Sequence, residues 1–468
     1  MRGIVGYGTY VPYNRLRKEA ITAALGAGGG RGTRAVASYD EDATSMAVEA
    51  SRNLIRSAKM PTPDALYFAS VTPPYLDKTN ANAVHAALRL PSSVLSTDMT
   101  GSARSTTGAM LAALNDQRPI LMTSADVRTG RPGSGDEANL GDAAVALMIG
   151  SDVDAPVIAE WLGGASATGE FLDRWRLPGW DYSRVWEERF GESVYLPLVS
   201  EAAIAGFKDV ELSSDSIDSV VVAGLHGRAA RGAAATAGVG DRPIADDLSA
   251  TVGNTGSSQS LLALANVLDT AEPGQLIMVI SLADGCDVNF FRTTDAISDY
   301  TPHATVAQQI AEGDDSLDYQ KFLTWRGYLD REPPRRPDPV PPAAPPSNRM
   351  TDWKFGFMGS RDRESGAVHL PPQRVSVKGG NVDDMEMVPM ADVEAKVTTY
   401  TIDRLAYSPS PPTVVCVLDF DGGGRFMSEL TDASPDEVEI GLRVRMTFRR
   451  MLTADGVHNY FWKATPIR

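Results

Sequence analysis

The proline-rich segment at residues 331–347 constrains the fold more than any other feature of this chain. It reads REPPRRPDPVPPAAPPS, and such proline density favours extended polyproline geometry and a semi-rigid spacer. The chain has 468 residues, whereas single domains usually span about 100–200 residues, with larger folds allowed. We therefore predict a first domain at 1–300, a linker at 301–350 and a second domain at 351–468.

The first 300 residues alternate strand-like and helix-like segments, which is typical of a layered α/β fold. The first series contains predicted strands at Gly3–Gly8, Ala65–Ser70, Val94–Thr100, Pro119–Ser124 and Ala143–Ile149. The second series contains predicted helices at Glu201–Phe207, Ala229–Ala237 and Ser257–Leu268, and predicted strands at Ser219–Ala223 and Gln275–Ser281. The similar order of the two series predicts an internal duplication, with halves at about 1–160 and 190–300.

The residues after the linker are rich in β-branched side chains, which are separated by turns that contain proline and glycine. Examples of such segments are Val397–Ile402, Thr413–Asp419 and Gly441–Phe448. Short strands at this spacing predict a small all-β barrel.

The net charge limits the classes of molecule that this chain is expected to bind. The net charge is −16, which argues against nucleic acid as a partner, because phosphate neutralisation needs clustered lysine and arginine. It still permits an anionic substrate that a local basic pocket could hold.

The two cysteines, Cys286 and Cys416, lack the spacing of a disulfide framework or a thiolate metal site. With no apolar run of about 18–20 residues and no signal-peptide pattern, we expect a cytoplasmic protein without a membrane segment.

Three segments of the first domain contain the candidate chemistry. TDMTGSARSTTGAML (97–111) reads as a strand, a turn of small residues and a helix start, where the positive helix end would stabilise an anion. VVVAGLHGRAARGAA (220–234) places His226 at the end of a buried strand. TVGNTGSSQSLLALANVL (251–268) places Asn254 in a glycine-rich turn before a helix.

Together these segments resemble the Cys–His–Asn site of the hydroxymethylglutaryl-CoA synthase and ketoacyl synthase III group of the thiolase superfamily. GDAAVALMIG (141–150), DEDATSMAVEA (40–50) and FASVTPPY (68–75) resemble further segments of that group, in the same order. The resemblance implies a duplicated five-layer thiolase-like fold and an oligomer, most simply a homodimer. It also implies an acyltransferase that forms or cleaves a carbon–carbon bond beside a coenzyme A thioester, with no permanently bound cofactor.

The site residues follow from the same resemblance. His226 and Asn254 match the pair that polarises a carbonyl oxygen in the family, although a GNTG turn also suits Asn254 in a purely structural role. The position of the nucleophilic cysteine falls on Ala103, with Ser102 as a less favoured substitute, and the catalytic glutamate falls near Pro73. Three interpretations remain. Ala103 replaces a native cysteine, or the chemistry proceeds without an acyl-enzyme, or the domain binds acyl-CoA without turnover.

The acidic residues Asp40–Asp42 precede a predicted helix and suit its positive end.

In the second domain, FMGSRDRESGAVHLPPQRVSVKGGNVD (357–383) resembles the zinc ribbon of OB-fold partners of thiolases. The four ligand positions of that ribbon fall on Asp362, Ser365, Ser376 and Gly379. Serine and glycine cannot replace the cysteine and histidine ligands of structural zinc, so we expect no metal. This resemblance implies an OB-fold domain that bridges to a thiolase partner, or a non-catalytic scaffold subunit that binds acyl-CoA.

Overall fold

A computed structural model describes residues 1–335, 337 and 339–468 of the chain, so Arg336 and Asp338 of the predicted linker lie outside the described residues. The chain divides into two compact units. Unit 1 comprises Met1–Ala37, Glu49–Asn82 and Pro91–Tyr319, and unit 2 comprises Ser38–Val48, Ala83–Leu90 and Gln320–Arg468. The predicted domain boundaries near residues 300 and 350 stay a prediction.

None of the described helices combines the length and the apolar character that a membrane crossing requires.

The described residues form strands and helices in the following order. The strands are β1 Arg2–Tyr10, β2 Asn14–Arg17, β3 Thr33–Val36, β4 Ala65–Ser70, β5 Leu95–Thr100, β6 Ile120–Asp126, β7 Ala143–Ser151, β8 Ala159–Thr168, β9 Arg174–Trp175, β10 Arg184–Val185, β11 Ser219–Gly224, β12 Leu276–Leu282, β13 Gly285–Thr293, β14 Met358–Asp362, β15 Val368–His369, β16 Met385–Pro389, β17 Ala395–Asp403, β18 Thr413–Phe420, β19 Arg425–Leu430, β20 Arg443–Ala454 and β21 Val457–Pro466. The α-helices are α1 Lys18–Leu25, α2 Ala43–Ser57, α3 Ala81–Ala87, α4 Arg104–Asn115, α5 Gly135–Asn139, α6 Glu188–Asp209, α7 Gly227–Thr236, α8 Gln259–Leu268, α9 Val306–Ala311, α10 Tyr319–Trp325, α11 Ala344–Arg349 and α12 Thr351–Lys354.

Unit 1 is built on a nine-stranded sheet in the order β11-β12-β13-β8-β1-β7-β6-β4-β5. In its first half, β4 is parallel to β6, and β6, β7 and β1 then pair antiparallel. The second half repeats this pattern, because β11 is parallel to β12, and β12, β13 and β8 pair antiparallel. The predicted α/β class and the internal duplication are therefore confirmed.

The two half-sheets join between β1 and β8. Gly3 pairs with Glu160, and Ile4 pairs with Ala159. A Cβ on Gly3 would lie 2.0 Å from the carbonyl oxygen of Ala159. The close approach of the two strands therefore requires glycine at position 3.

Helix α8 lies in the core of unit 1. Leu261, Leu262, Ala263, Leu264 and Ala265 are all buried, which a helix that is apolar on every side requires. The helix packs against β1 and β7 of the first half and β11 and β12 of the second half. This packing fixes the glycine-rich turn before α8 against both halves of the sheet.

Unit 2 contains a three-stranded ribbon sheet in the order β15-β14-β16 and a closed five-stranded barrel in the order β17-β18-β19-β21-β20. The predicted all-β barrel is therefore confirmed. Its interior is aromatic, because Phe357, Phe448 and Trp462 are fully buried and the ring of Trp462 contacts both phenylalanine rings. Trp462 donates its indole N–H to the carbonyl oxygen of Phe355 at 2.9 Å, which satisfies the polar atom of this buried side chain.

Unit 2 also contains a buried cluster of charges. The carboxylate of Asp40 lies 2.9 Å from the ammonium of Lys463 and 3.7 Å from the guanidinium of Arg449. The guanidinium also contacts Glu41 at 2.5 Å and pairs with Asp432. Burial alone would raise the pKa of Asp40, but Lys463 and Arg449 outweigh that effect and hold the pKa below its ordinary range.

We predict that Asp40→Asn lowers the free energy of unfolding by about 3–5 kcal/mol, because it removes a buried carboxylate that neutralises both Lys463 and Arg449. Since the folded-state pKa of Asp40 is depressed, its contribution is complete above the ordinary carboxyl pKa and is lost as the pH falls below about 4. Urea unfolding at pH 7 and pH 3.5 would measure both effects. The matched control is Asp315→Asn, which breaks the exposed pair with Arg17 and should cost about 1 kcal/mol or less. Equal losses in the two variants would contradict the prediction.

Candidate active site

His226 is held rigidly at the start of α7. The chain leaves β11 at Gly224, and His226 caps the helix by accepting a hydrogen bond at Nδ1 from the backbone N–H of Ala229, at 3.1 Å. This bond requires an unprotonated Nδ1, so the neutral imidazole carries its proton on Nε2. The side chain is 5 % exposed, and Nε2 has no hydrogen-bond partner among the residues that the structure describes. The Nε2–H group is therefore a buried donor without a hydrogen-bond acceptor among the described residues.

Asn254 is bonded to the end of the strand that precedes His226. Its amide Nδ2 donates to the carbonyl oxygen of Gly224 at 2.9 Å, and its Oδ1 accepts from the backbone N–H of Gly256 at 3.0 Å. A primary amide carries two N–H groups, so one remains for a ligand. The carboxamide thus links the turn before α8 to the end of β11.

His226 and Asn254 line the same cavity, which has a volume of about 1410 Å³ and is called here the histidine cavity. Aromatic side chains from the β9–β10 hairpin and the residues around it form one wall, and small residues of α7 also line the cavity. Residues on these walls include Trp175, Tyr182, Trp186, Ala230 and Ala234. The cavity is large enough for an extended ligand to reach both polar groups.

Ala103 lies at the N-terminal end of α4, directly after the turn that the sequence predicts. It lines a second cavity of about 600 Å³, called here the alanine cavity, and Pro73 lines this cavity as well. The two cavities adjoin each other, because five residues line both: Asp173, Arg174, Trp175, Ser183 and Leu225. Ala103 therefore lines the cavity that adjoins the one lined by His226 and Asn254.

The serine near Ala103 lacks an activating base. The hydroxyl of Ser102 accepts a hydrogen bond from the backbone N–H of Arg104 at 3.2 Å. Among the described residues, no hydrogen bond joins Ser102 to His226, which an activated serine would need. Cys286 cannot supply a thiolate either, because burial raises the pKa of its thiol to about 12.

Three further residues surround the imidazole of His226 and were not predicted from the sequence. A Cβ on Gly191 would lie 2.5 Å from Nε2 of His226 and 3.2 Å from Oδ1 of Asp173, so glycine leaves space for the ring. Tyr195 lies with its ring centroid 5.6 Å from that of His226 and donates its hydroxyl to Asp173 at 3.2 Å. Burial, with Asp173 as the second cause, raises the pKa of Tyr195. The only sequence signal is the density of aromatic residues at 171–190, which has no helical or strand periodicity.

In unit 2, the predicted former ligand positions meet in a hydrogen-bonded cluster. Ser365 donates its hydroxyl to the buried carboxylate of Asp362, and the side-chain amide of Asn381 donates to Oδ1 at 3.1 Å. Ser365, Ser376 and Asn381 together hold the pKa of Asp362 well below its ordinary range. Gly379 has a φ of +84° and contributes no side chain. Within the described parts of the chain, no group of three or more His, Cys, Asp or Glu side chains could hold a metal ion.

Comparison with known proteins agrees with both units. Residues 387–449 match the family "ChsH2, C-terminal OB-fold domain". The hydroxymethylglutaryl-CoA synthase of Methanopyrus kandleri is 30% identical over 344 residues, which cover 70% of this chain and 97% of that protein. The corresponding enzyme of Picrophilus torridus is 29% identical over 347 residues, which cover 70% of this chain and 98% of that protein.

The fold of this chain is also similar to that of a solved structure. The structure of MvaS in complex with 3-hydroxy-3-methylglutaryl coenzyme A superposes with a TM-score of 0.61 at 20% identity, and the match covers 73% of this chain and 94% of that chain. The sequence identity to the archaeal enzymes, along nearly their whole length, is carried by the part of this chain that contains the His226 site. The chain therefore belongs to the hydroxymethylglutaryl-CoA synthase family and carries a C-terminal OB-fold domain in addition.

Proposed function

We propose that unit 1 forms or cleaves a carbon–carbon bond beside the thioester of a coenzyme A substrate, without an acyl-enzyme intermediate. The single observation that supports this proposal is the buried Nε2–H of His226, a donor without a partner among the described residues, on a side chain that lines the histidine cavity. A fixed donor in a water-excluded site stabilises negative charge as it develops on a carbonyl oxygen. The remaining N–H of Asn254 would support the same oxygen.

Formation and cleavage of the carbon–carbon bond both use the Nε2–H donor of His226. When the bond forms, C2 of the thioester loses a proton to solvent, the enolate carbon attacks the carbonyl carbon of the second substrate, and the resulting alkoxide takes up a proton from solvent. When the bond breaks, the hydroxyl on the carbon next to C2 loses its proton to solvent, the electron pair of the carbon–carbon bond returns to the thioester as an enolate, and C2 takes up a proton from solvent. In both directions the enolate oxygen accepts the hydrogen bond from Nε2 of His226. No step transfers the acyl group to the protein, which is consistent with the methyl side chain of Ala103.

The partners are part of the same proposal. The OB-fold unit would bring the chain together with a thiolase, which would supply or consume the thioester. A homodimer would form along β5, which lies at the end of the nine-stranded sheet and has no buried residue. Pairing of two such edges would satisfy the free backbone groups of the strand.

The alternative is a subunit that binds acyl-CoA, or acts as a scaffold for a thiolase, without turnover. One observation favours it. Both ends of the Asn254 carboxamide are bonded to backbone groups, at Gly224 and Gly256, so the residue has a complete structural role without any ligand.

We predict that the protein forms no covalent acyl adduct with acetyl-CoA, because Ala103 has no nucleophilic atom and no base among the described residues is hydrogen-bonded to Ser102. Intact-mass spectrometry after incubation would measure this, and peptide mapping would locate any adduct. Ala103→Cys serves as the positive control, since a thiol at the N-terminal end of α4 has a lowered pKa and reacts with the thioester. A stable adduct on unit 1 of the unchanged protein would contradict the non-covalent mechanism.

We predict that His226→Gln slows exchange of deuterium from solvent into C2 of acetyl-CoA by about 100-fold to 1000-fold, because the enolate loses its hydrogen-bond donor. Affinity for acetyl-CoA should change by about threefold or less, since the donor acts mainly on the enolate. Nuclear magnetic resonance would follow the exchange, and calorimetry would give the affinity. The matched control is His303→Gln, at an exposed position. No exchange in the unchanged protein, together with full activity of a copurified thiolase in the presence of His226→Gln, would favour the scaffold alternative.

A further inference from the structure

Asp173 is a buried acidic residue at the boundary between the two cavities. It lies directly before β9, is 6 % exposed, and lines both the histidine cavity and the alanine cavity. Burial of a carboxylate costs free energy unless hydrogen bonds or charges compensate for it. The hydrogen bonds that this carboxylate makes therefore bear on what it can do in the site.

One oxygen of the Asp173 carboxylate is hydrogen-bonded and the other is not. Tyr195 of α6 donates its hydroxyl to Oδ2 at 3.2 Å, and the backbone N–H of Asp284 donates to that hydroxyl at 3.3 Å. These two bonds fix the orientation of the carboxylate. No hydrogen bond from a described residue reaches Oδ1. Oδ1 is therefore an acceptor that the described part of the chain does not use.

Oδ1 of Asp173 lies near Nε2 of His226. A Cβ on Gly191 would lie 3.2 Å from Oδ1 and 2.5 Å from Nε2, so a single point is close to both atoms. The two atoms differ in chemistry, because Nε2 carries a proton whereas a carboxylate oxygen accepts one. Proton removal from the carbon beside a carbonyl uses both, a donor at the oxygen and a base at the carbon.

Three other described carboxylates line the histidine cavity, and each is less suited to accept a proton from a substrate. Asp136 is held by both terminal nitrogens of Arg174, at 2.6 and 2.8 Å. Asp246 and Asp247 are exposed to solvent, and each accepts a hydrogen bond from the backbone N–H two residues further along the chain. Among these four carboxylates, only that of Asp173 combines burial with an oxygen that receives no hydrogen bond.

We infer that Asp173 is the catalytic base that carries the proton between C2 of the thioester and solvent. This inference rests on the proposed function, because it names the group through which that proton passes. The position of the family's catalytic glutamate falls near Pro73, which has no side-chain atom that accepts a proton, so a base must come from elsewhere in the site.

The step balances in both directions. When the carbon–carbon bond forms, the C2–H bond breaks, its electron pair becomes part of the enolate, and the proton joins Oδ1 of Asp173. The resulting carboxylic acid then releases the proton to solvent. When the carbon–carbon bond breaks, the carboxylate takes up a proton from solvent and delivers it to C2 of the enolate. Nε2 of His226 donates to the enolate oxygen throughout.

The test follows exchange of deuterium from solvent into C2 of acetyl-CoA by nuclear magnetic resonance on the full chain. Asp173→Asn keeps the shape of the side chain and an oxygen for Tyr195, so the fold should persist. Exchange should slow at least about 100-fold, because a positioned base contributes about 100-fold to 10,000-fold. Affinity for acetyl-CoA, measured by calorimetry, should change about threefold or less. The matched control is Asp241→Asn, at an exposed residue that lines neither cavity, and exchange should not change there.

Rescue by a small carboxylate distinguishes a base from a residue with a structural role. Asp173→Ala leaves space beside Tyr195, so added formate should accelerate exchange at least about tenfold in this variant. Formate should have no effect in Asp173→Asn, because the amide fills the same space. Loss of exchange in both variants without rescue of Asp173→Ala would overturn the inference.

The pH dependence of exchange in the unchanged protein decides the question if both variants fail to fold. Hydroxide is about 100 times more concentrated at pH 9 than at pH 7, so exchange through hydroxide would accelerate by that factor, whereas exchange through a base that is already ionised would change about threefold or less. Carboxylates are ordinarily ionised above about pH 5. The titratable and charged groups around Asp173 are Tyr195 of α6, Arg174 of β9, His226 at the start of α7, and Asp284, which acts on Tyr195.

The outcomes separate the inference from the proposed function. No exchange in the unchanged protein would overturn both. Exchange that Asp173→Asn retains to within about threefold, or that accelerates about 100-fold between pH 7 and pH 9 in the unchanged protein, would overturn the inference and leave the proposed function intact.

Discussion

The candidate site depends on one hydrogen bond, which the backbone N–H of Ala229 donates to Nδ1 of His226. This bond has three effects at once. It caps the first turn of α7, it fixes the ring orientation, and it confines the proton of the neutral imidazole to Nε2. A histidine that was free to rotate or to change tautomer would have to be ordered by the substrate, and the binding free energy would be reduced accordingly. Here the fold orders the donor before any ligand arrives.

Retention of this donor and loss of the nucleophile are compatible, because the two groups serve different steps. A thiol is needed only when the acyl group is transferred to the protein. Polarisation of a thioester carbonyl is needed whenever an enolate forms beside it, whether a carbon–carbon bond is made or broken. The chain carries both His226 and Ala103, so in the proposed function it performs the second step without the first. Its membership of a family of condensing enzymes therefore does not require it to share their covalent step.

The sequence placed His226 and Asn254 in one site, and both residues line one cavity of the structure, because the duplicated order of strands and helices determines which strand ends and turns meet. It could not predict which residues line both cavities, since this depends on side-chain packing rather than on periodicity. Nor did it predict the full length of α6, which begins at Glu188 and contains Pro197. The apolar pattern around Glu201–Phe207 indicated only the later turns, because proline ordinarily interrupts a helix.

The acidic residues Asp40–Asp42 illustrate the same limit in unit 2. One part of the interpretation was correct, since Asp42 accepts a hydrogen bond from the backbone N–H of Ser45 at 2.9 Å, in the first turn of α2. Asp40 instead neutralises Lys463, which follows it by more than four hundred residues and shares no local pattern with it. Burial of these charges without partners of opposite sign would be strongly unfavourable, and Asp40 supplies part of the neutralisation of both Lys463 and Arg449. Such a pair restricts the segment Ser38–Val48 to one position against the barrel of unit 2, and that constraint becomes visible only when the chain is folded.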